Sequence, residues 1–188
     1  HGDILDKKLI DKYFKDADIV HHLAGITDVP RTQSESNTDK DEKIKLVAEE
    51  GTQNILDAIS NKCKIIFPST HVVYEGIEKV KNDISEDEDL KPILSYSTSK
   101  AINEKQLKNS GKNYIILRLG SVYGYSTDTA RIDIMPNLFS KITSQNGTIK
   151  LFAGGRQTKS LVPLVDVARC FKNMEEKEEI KSETFNLT

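Results

Sequence analysis

This chain of 188 residues has little that would mark a specialised binding protein. Its two cysteines, Cys63 and Cys170, stand far apart and match no metal or redox spacing. That leaves no cysteine-built metal site or disulfide framework to expect, and a reducing cytoplasm is the expected compartment. Neither sign of charge dominates, since 27 lysines and arginines face 29 acidic residues for a formal net charge of -2. With its lysines dispersed and no basic stripe, the chain is not expected to bind nucleic acid. No apolar run approaches the roughly 20 residues of a membrane-spanning helix, so no membrane partner is expected. The opening stretch His1–Phe14 lacks the apolar core of a secretion signal. Internal repeats and low-complexity linkers are also missing, and the length fits one domain with a real hydrophobic core.

What is present alternates in type. Asp18–Ala24 is a short apolar run ending in small residues and reads as a buried strand. From Glu42 to Ile59, the residues Ile44, Val47, Gly51, Ile55, Leu56 and Ile59 recur at helical spacing, which predicts a helix with one apolar face. Lys64–Pro68 is a second strand, Tyr96–Leu107 a helix with Ala101, Ile102 and Leu107 inward, and Tyr114–Leu119 a third strand. Strands alternating with helices argue for a parallel sheet covered on both faces. The polar stretches Thr27–Asp41 and Gly76–Ser95 read as long loops, which in a compact domain are usually functional. After Gly124 the rhythm changes. A helix around Ile134–Ile142, a short strand Ile149–Phe152, a Gly154-Gly155 turn, the apolar stretch Leu161–Val165, a helix capped by Asp166 and a last strand Glu183–Leu187 are expected.

The chemistry concentrates in Tyr96-Ser-Thr-Ser-Lys100, a Tyr-x-x-x-Lys pair opening a helix. Residues four apart share a helix face, so both side chains can reach one site. A free tyrosine, with a pKa of ~10, is a poor base at neutral pH. A neighbouring ammonium stabilises the phenolate and makes the tyrosine usable for acid/base work. Taken alone, the pair could equally be two exposed helix residues. Upstream, however, Ser69-Thr70-His71-Val-Val-Tyr74 follows a buried strand directly. A hydroxyl at a strand's carboxyl end lies where open α/β sheets bind ligands. Thr70 could there hydrogen-bond a substrate oxygen beside the tyrosine. His21 and His22, adjacent on a strand, point to opposite faces and read as structural rather than as a metal pair, and no metal site is expected.

These residues resemble those of the extended short-chain dehydrogenase/reductase family, also called the NAD-dependent epimerase/dehydratase family. The resemblance runs from end to end. Gly2-Asp3-Ile4 is similar to the family's Gly-Asp-Ile/Leu segment, and His22-Leu23-Ala24-Gly25 to its His-x-Ala-Ala/Gly strand end. Gly51-Thr-Gln-Asn54 resembles its Gly-Thr-x-Asn helix, and Ser69-Thr70-x-x-Val73-Tyr74 its Ser-Ser/Thr-x-x-Val-Tyr-Gly strand end. Glu86 and Pro92 fall where a Glu and a Pro precede the tyrosine. Arg118-Leu-Gly-Ser-Val-Tyr-Gly124 and Gly155-Arg-Gln157-Thr-Lys159 through Val165-Asp-Val-Ala168 match two further segments.

The resemblance implies a doubly wound parallel α/β sheet, the NAD(P)-binding Rossmann fold. It is expected to be incomplete at its N-terminus, with residues 1–125 forming a partial cofactor-binding domain. Residues 126–188 would be the start of a small substrate-binding region mixed with the last sheet elements. It implies NAD as cofactor, with NADP as the other option, held by Asp3, Ile4, Leu23, Ala24, Gly25, Tyr96, Lys100 and Gly120. It implies a catalytic set of Thr70, Tyr96 and Lys100. Tyr96 would exchange a proton with the substrate, and Lys100 would hold the nicotinamide ribose and lower the tyrosine's pKa. Thr70, His71, Ser121 and Lys159 would contact a small-molecule substrate, a nucleotide-sugar. A homodimer formed through helices that include the Tyr96 helix would fit.

Departures narrow the reading. The family's Gly-x-x-Gly-x-x-Gly loop, whose backbone amides cradle a pyrophosphate at a helix N-terminus, occurs nowhere in the chain. It would lie upstream of His1 together with the acidic residue that selects NAD over NADP, so a fragment of a longer protein is expected. His71 and Val72 stand where the 4,6-dehydratases carry an Asp-Glu pair. Val72 can serve neither as acid nor as base, which argues against dehydration. Lys159 replaces an Arg that grips the nucleotide diphosphate; it keeps the charge but loses bidentate geometry. The leading expectation is a nucleotide-sugar epimerase-like oxidoreductase. The alternatives are an NAD(P)-dependent reductase or dehydrogenase on another carbonyl or alcohol, and a non-catalytic cofactor-binding protein.

Overall fold

The run Ile65-Ile66-Phe67 has no polar residue to offer water on either face, and both faces of it are covered. The computed structural model describes residues 1–27, 38–127, 131–156 and 158–188. In chain order the elements are α1 (Lys7–Phe14), β1 (Ile19–His21), α2 (Thr38–Ala58), β2 (Lys64–Thr70), α3 (Ser95–Asn109), β3 (Asn113–Leu119), β4 (Ser121–Tyr123), α4 (Met135–Ser144), β5 (Leu161–Pro163), α5 (Leu164–Glu176) and β6 (Glu183–Leu187). Four strands form one parallel sheet in the order β1-β2-β3-β6. The register sets Ile66 beside Ile115 and Thr70 beside Leu119.

Alternation along the strands divides the core in two. On one face Ile65, Phe67 and Ile116 pack with Ile10 of α1, Ile55, Leu56 and Ile59 of α2, and Leu107 of α3. On the other, Ile66, Ile115 and Leu117 pack with Val162, Val167 and Phe171 of β5 and α5. This is the doubly wound parallel arrangement expected from the sequence. The segments on either side of residue 125 share that second core, since β6 pairs with β3 and α5 covers the sheet.

Several elements differ from expectation. The strand read over Asp18–Ala24 is shorter, because the backbone folds back after His21 and the Leu23 amide donates to the His21 carbonyl at 2.9 Å. Residues 28–37 of the loop expected over Thr27–Asp41 lie outside the described residues, and Thr38–Asp41 belongs to α2. On α3, Ala101 and Ile102 are only half-buried. The inward residues beside Leu107 are the polar Ser97, Ser99, Asn103 and Glu104, because their partners are polar groups rather than apolar surface: Asn103 donates to the Ala48 carbonyl of α2 at 2.9 Å.

Ile149–Phe152 forms no strand. Phe152–Gly155 instead makes a 3₁₀ turn in which Gly154 and Gly155 hold φ of +66° and +71°, values that suit glycine. Asp166 does not cap its helix, since α5 begins earlier, at Leu164. It sits inside the first turn, where its charge complements the helix dipole, and pairs with Arg169 at 2.9 Å. The parallel pair β4·β5 is an addition, too short to show a period in the sequence.

Candidate active site

A parallel sheet opens a crevice beyond the carboxyl ends of its strands. Here that crevice is a cavity of about 680 Å³, walled by the ends of β2 and β3 and the start of α3. Thr70, His71, Tyr96, Lys100, Gly120 and Ser121, along with Leu23, all line it. The structure thus brings the three expected catalytic residues together with most of the expected substrate contacts.

Each is held by its own element. Thr70 is the last residue of β2, and its Oγ1 accepts the Val72 amide at 3.4 Å, capping the 3₁₀ turn His71–Tyr74. His71 donates from Nδ1 to the Leu119 carbonyl at 3.0 Å, which fixes the neutral tautomer and leaves Nε2 as an acceptor. Burial pushes the pKa of His71 down. Gly120 is required where it stands, because a Cβ there would come within 2.8 Å of Ser160 Oγ and 3.2 Å of the Ser160 carbonyl oxygen.

Tyr96 and Lys100 share a face of α3 as expected, but their coupling differs. The Lys100 ammonium donates to the Pro68 carbonyl at 2.7 Å and lies 4.3 Å from the centre of the Phe67 ring. It is 5.9 Å from the centre of the Tyr96 ring. Burial lowers the Lys100 pKa to about 8, against the opposing pull of Glu104. For Tyr96, burial raises the phenol pKa, and the cation that works against this is Arg131 rather than Lys100. The Lys100 ammonium is held at the Pro68 carbonyl and over the Phe67 ring, and its charge remains on the Tyr96 side of the cavity. At neutral pH the site therefore presents a protonated phenol and a charged lysine.

Behind the cavity lies a buried polar network that sequence reading did not assemble. Arg118 of β3 and Glu104 of α3 are each 1% exposed and pair at 2.7 Å from Nη2 to Oε2, with Nε also donating to Oε1 at 3.1 Å. Ser69 donates to Glu104 Oε1 at 2.5 Å. Arg118 Nη1 donates to the Glu86 carbonyl at 2.8 Å and to the Tyr74 hydroxyl. Glu104 continues the stripe of Tyr96 and Lys100 one turn on, so the helical spacing was a usable signal for it. Nothing in the sequence named Arg118 as its partner. Glu75, Arg131 and Asn137 also line the cavity and carried no sequence signal.

His21, the last residue of β1, and His22 just beyond it have separate partners: His21 pairs with Glu175 at 2.9 Å, and His22 Nε2 meets Thr52 Oγ1 at 2.8 Å. Burial, reinforced by the charge of Lys100, lowers the His22 pKa from 6.5 to about 4. Below pH 6.5 the unfolded chain therefore binds a proton that the folded form refuses. Stability contributed by keeping His22 neutral is full above pH 6.5 and falls by about 3 kcal/mol as pH drops to about 4. Urea unfolding across this range should show a shallower decline for His22→Gln than for the parent. Parallel declines would remove His22 as the cause.

The remaining expected residues lie elsewhere. Ala24 and Gly25 are exposed just beyond β1, next to Leu23 on the cavity wall. Asp3 is exposed, its carboxylate accepting the Leu5 amide at 3.0 Å, and the Ile4 carbonyl accepts from Asn54 of α2 at 3.0 Å; neither lines the cavity. Lys159 lines a separate, basic depression with Arg156 and Lys81. Gln157 of the same segment lies outside the described residues. Among the described residues no cluster of three or more His, Cys, Asp or Glu could hold a metal, and no helix is long and apolar enough to cross a membrane.

Comparison with known proteins finds that the model of the NAD dependent epimerase/dehydratase family matches residues 1–188. A putative UDP-glucose 4-epimerase of Methanocaldococcus jannaschii is 31% identical over 176 residues, covering 90% of this chain and 56% of that protein. A UDP-N-acetyl-alpha-D-glucosaminuronate decarboxylase of Bacillus cytotoxicus is 29% identical, covering 98% of this chain and 58% of its own length. Among solved structures, a UDP-glucuronic acid 4-epimerase from Bacillus cereus, in complex with a fluorinated UDP-sugar and NAD, superposes with a TM-score of 0.81. It is 26% identical, covering 99% of this chain and 58% of that one. The chain thus spans a little over half the length of the relatives it matches.

Proposed function

The chain belongs to the NAD-dependent epimerase/dehydratase family, and from that premise we propose that the protein is a nucleotide-sugar epimerase-like oxidoreductase that uses NAD. The observation that carries the reading is the meeting of Thr70, Tyr96 and Lys100 in one cavity at the carboxyl ends of β2 and β3.

The residues present fit the nicotinamide-ribose end of a dinucleotide. Lys100 is a buried ammonium with three N–H groups, one of which goes to the Pro68 carbonyl. Beside it, the Leu23–Gly25 segment lies open at the end of β1, and Gly120 offers a surface without a side chain. When bound, NAD supplies reversible hydride exchange with a sugar carbon.

The chain's own groups would move the proton that accompanies it. Tyr96 would act first as the phenolate that takes the proton of a sugar hydroxyl and then as the phenol that returns it, with burial favouring the protonated form. Thr70 places its hydroxyl at the same oxygen and orients it. The Lys100 ammonium keeps one positive charge in the pocket as the phenolate forms. His71, with Nε2 free to accept, suits a sugar hydroxyl. Lys159 and Arg156 supply cations for a diphosphate at the neighbouring depression.

The test is product analysis of the protein at its natural length, incubated with NAD and a panel of UDP-, dTDP- and GDP-sugars. An isomeric nucleotide-sugar without net NADH is the expected result. Stoichiometric NADH would make it a dehydrogenase, and NAD binding without any conversion would remove the catalytic reading.

A further inference from the structure

The two halves of the proposed catalytic set sit on different elements. Thr70 and His71 belong to the strand-end turn of β2, whereas Tyr96 and Lys100 belong to the first turns of α3. Between them run some twenty residues of loop, so something must hold the two walls at a fixed spacing. The start of α3 is poorly equipped to anchor itself. Its N-cap is Leu94, which has no capping side chain, and there is no acidic residue in the first turn.

Glu75 stands where that anchor is missing. It directly follows the 3₁₀ turn His71–Tyr74, and its side chain reaches across the cavity wall to the entry of α3. A single oxygen, Oε1, accepts the Ile93 amide and the Leu94 amide, each at 2.8 Å. The Ser97 hydroxyl meets the same oxygen. Backbone pairing reinforces the junction, for the Lys91 amide donates to the Val73 carbonyl and the Gly76 amide to the Lys91 carbonyl, both at 2.8 Å. A Cβ at Gly76 would stand 2.6 Å from the Lys91 carbonyl oxygen, so only glycine lets the two strands of chain approach this closely.

Resting on the function proposed above, we propose that Glu75 is a positioning residue that ties the Thr70 turn to the Tyr96 helix and so sets the spacing of the catalytic groups. Its Oε1 bonds to Ile93, Leu94 and Ser97 at the entry of α3, not to Thr70, Tyr96 or Lys100. Its effect is on where Tyr96 stands, and displacement of a catalytic group by about 1 Å can cost on the order of 10²-fold in rate. A carboxylate is needed for reach as much as for charge. Glutamine presents an acceptor oxygen at the same distance, whereas aspartate is a methylene too short to span the junction.

The experiment uses the protein at its natural length and the variants Glu75→Ala, Glu75→Asp, Glu75→Gln and Tyr96→Phe. Backbone hydrogen exchange over residues 93–98 is measured without ligand, and kcat and KM are measured with the nucleotide-sugar converted in the product analysis. Glu75→Ala and Glu75→Asp should exchange these amides at least about tenfold faster and lose on the order of 10²-fold in kcat, with KM little changed. Glu75→Gln should restore both. Parent-like exchange and kcat in Glu75→Ala would overturn the proposal, and should alanine fail to fold, the same result in Glu75→Asp would do so. Parent-like activity in Tyr96→Phe would instead sink the catalytic reading beneath it, and the exchange data would still decide whether Glu75 anchors the helix.

Discussion

Replacing Tyr96 with phenylalanine is expected to lower turnover by about 10²–10⁴-fold, the range that a positioned general acid/base contributes. The loss should fall on kcat with KM nearly unchanged, because the ring and its contacts remain and only the proton-carrying oxygen goes. Stability should hold. Among the described residues no hydrogen bond ties the Tyr96 hydroxyl to the fold, so the variant leaves no buried group without its partner. Since burial raises the phenol pKa, the phenolate is scarce at neutral pH, and the step in which it accepts a proton should speed up as pH rises. Lys100 loses its proton and its charge near its depressed pKa of about 8, so a fall in rate on the alkaline side should come from the lysine. Kinetics and thermal unfolding of the two proteins check this together. Unchanged kcat in the variant would dismiss Tyr96 as the acid/base.

Arg118→Met is expected to be strongly destabilising. Arg118 and Glu104 are both sealed from water, and removing one partner leaves the other charge buried and unpaired. Such a loss costs about 3–5 kcal/mol. The Glu86 carbonyl and the Tyr74 hydroxyl lose a donor at the same time. The double variant Arg118→Met, Glu104→Leu should recover much of that loss, because no unpaired charge remains and two apolar side chains fill the space. Recovery should be incomplete, since Ser69 loses its acceptor. Removing the exposed pair Asp166–Arg169, by contrast, should change little, because solvent already screens it. Urea unfolding of the four proteins measures all three comparisons. An Arg118→Met variant as stable as the parent would show that Glu104 tolerates the loss of its buried partner.

The relative size of these two effects reflects how the molecule is arranged. Tyr96 faces a cavity and can change without disturbing the core, while Arg118 lies one layer behind and joins β3, α3 and the loop before it. Polar groups one layer behind therefore brace the cavity wall.

Much of this was legible in the amino-acid sequence, for local reasons. Short apolar runs such as Lys64–Pro68 and Tyr114–Leu119 read as buried strands, and Ile44, Ile55, Leu56 and Ile59 recur with the period of a helix. Those periodicities determine the alternating α/β order and hence the parallel sheet. The spacing of Tyr96 and Lys100 places them on one helix face whatever surrounds the helix. The inward face of α3 was misread, because hydrophobicity says nothing about a helix whose buried partners are an arginine and a carbonyl. The expected strand at Ile149–Phe152 failed for a related reason: a strand needs a neighbour, and sequence does not show where the neighbour lies. The spacing between Thr70 and Tyr96, the turn of Lys100 toward Pro68, the burial that sets the charge state of Tyr96 and His22, and the reach of Glu75 to the Leu94 amide were decided by tertiary structure alone. Each depends on distances between residues far apart in the chain, and on the water their packing excludes.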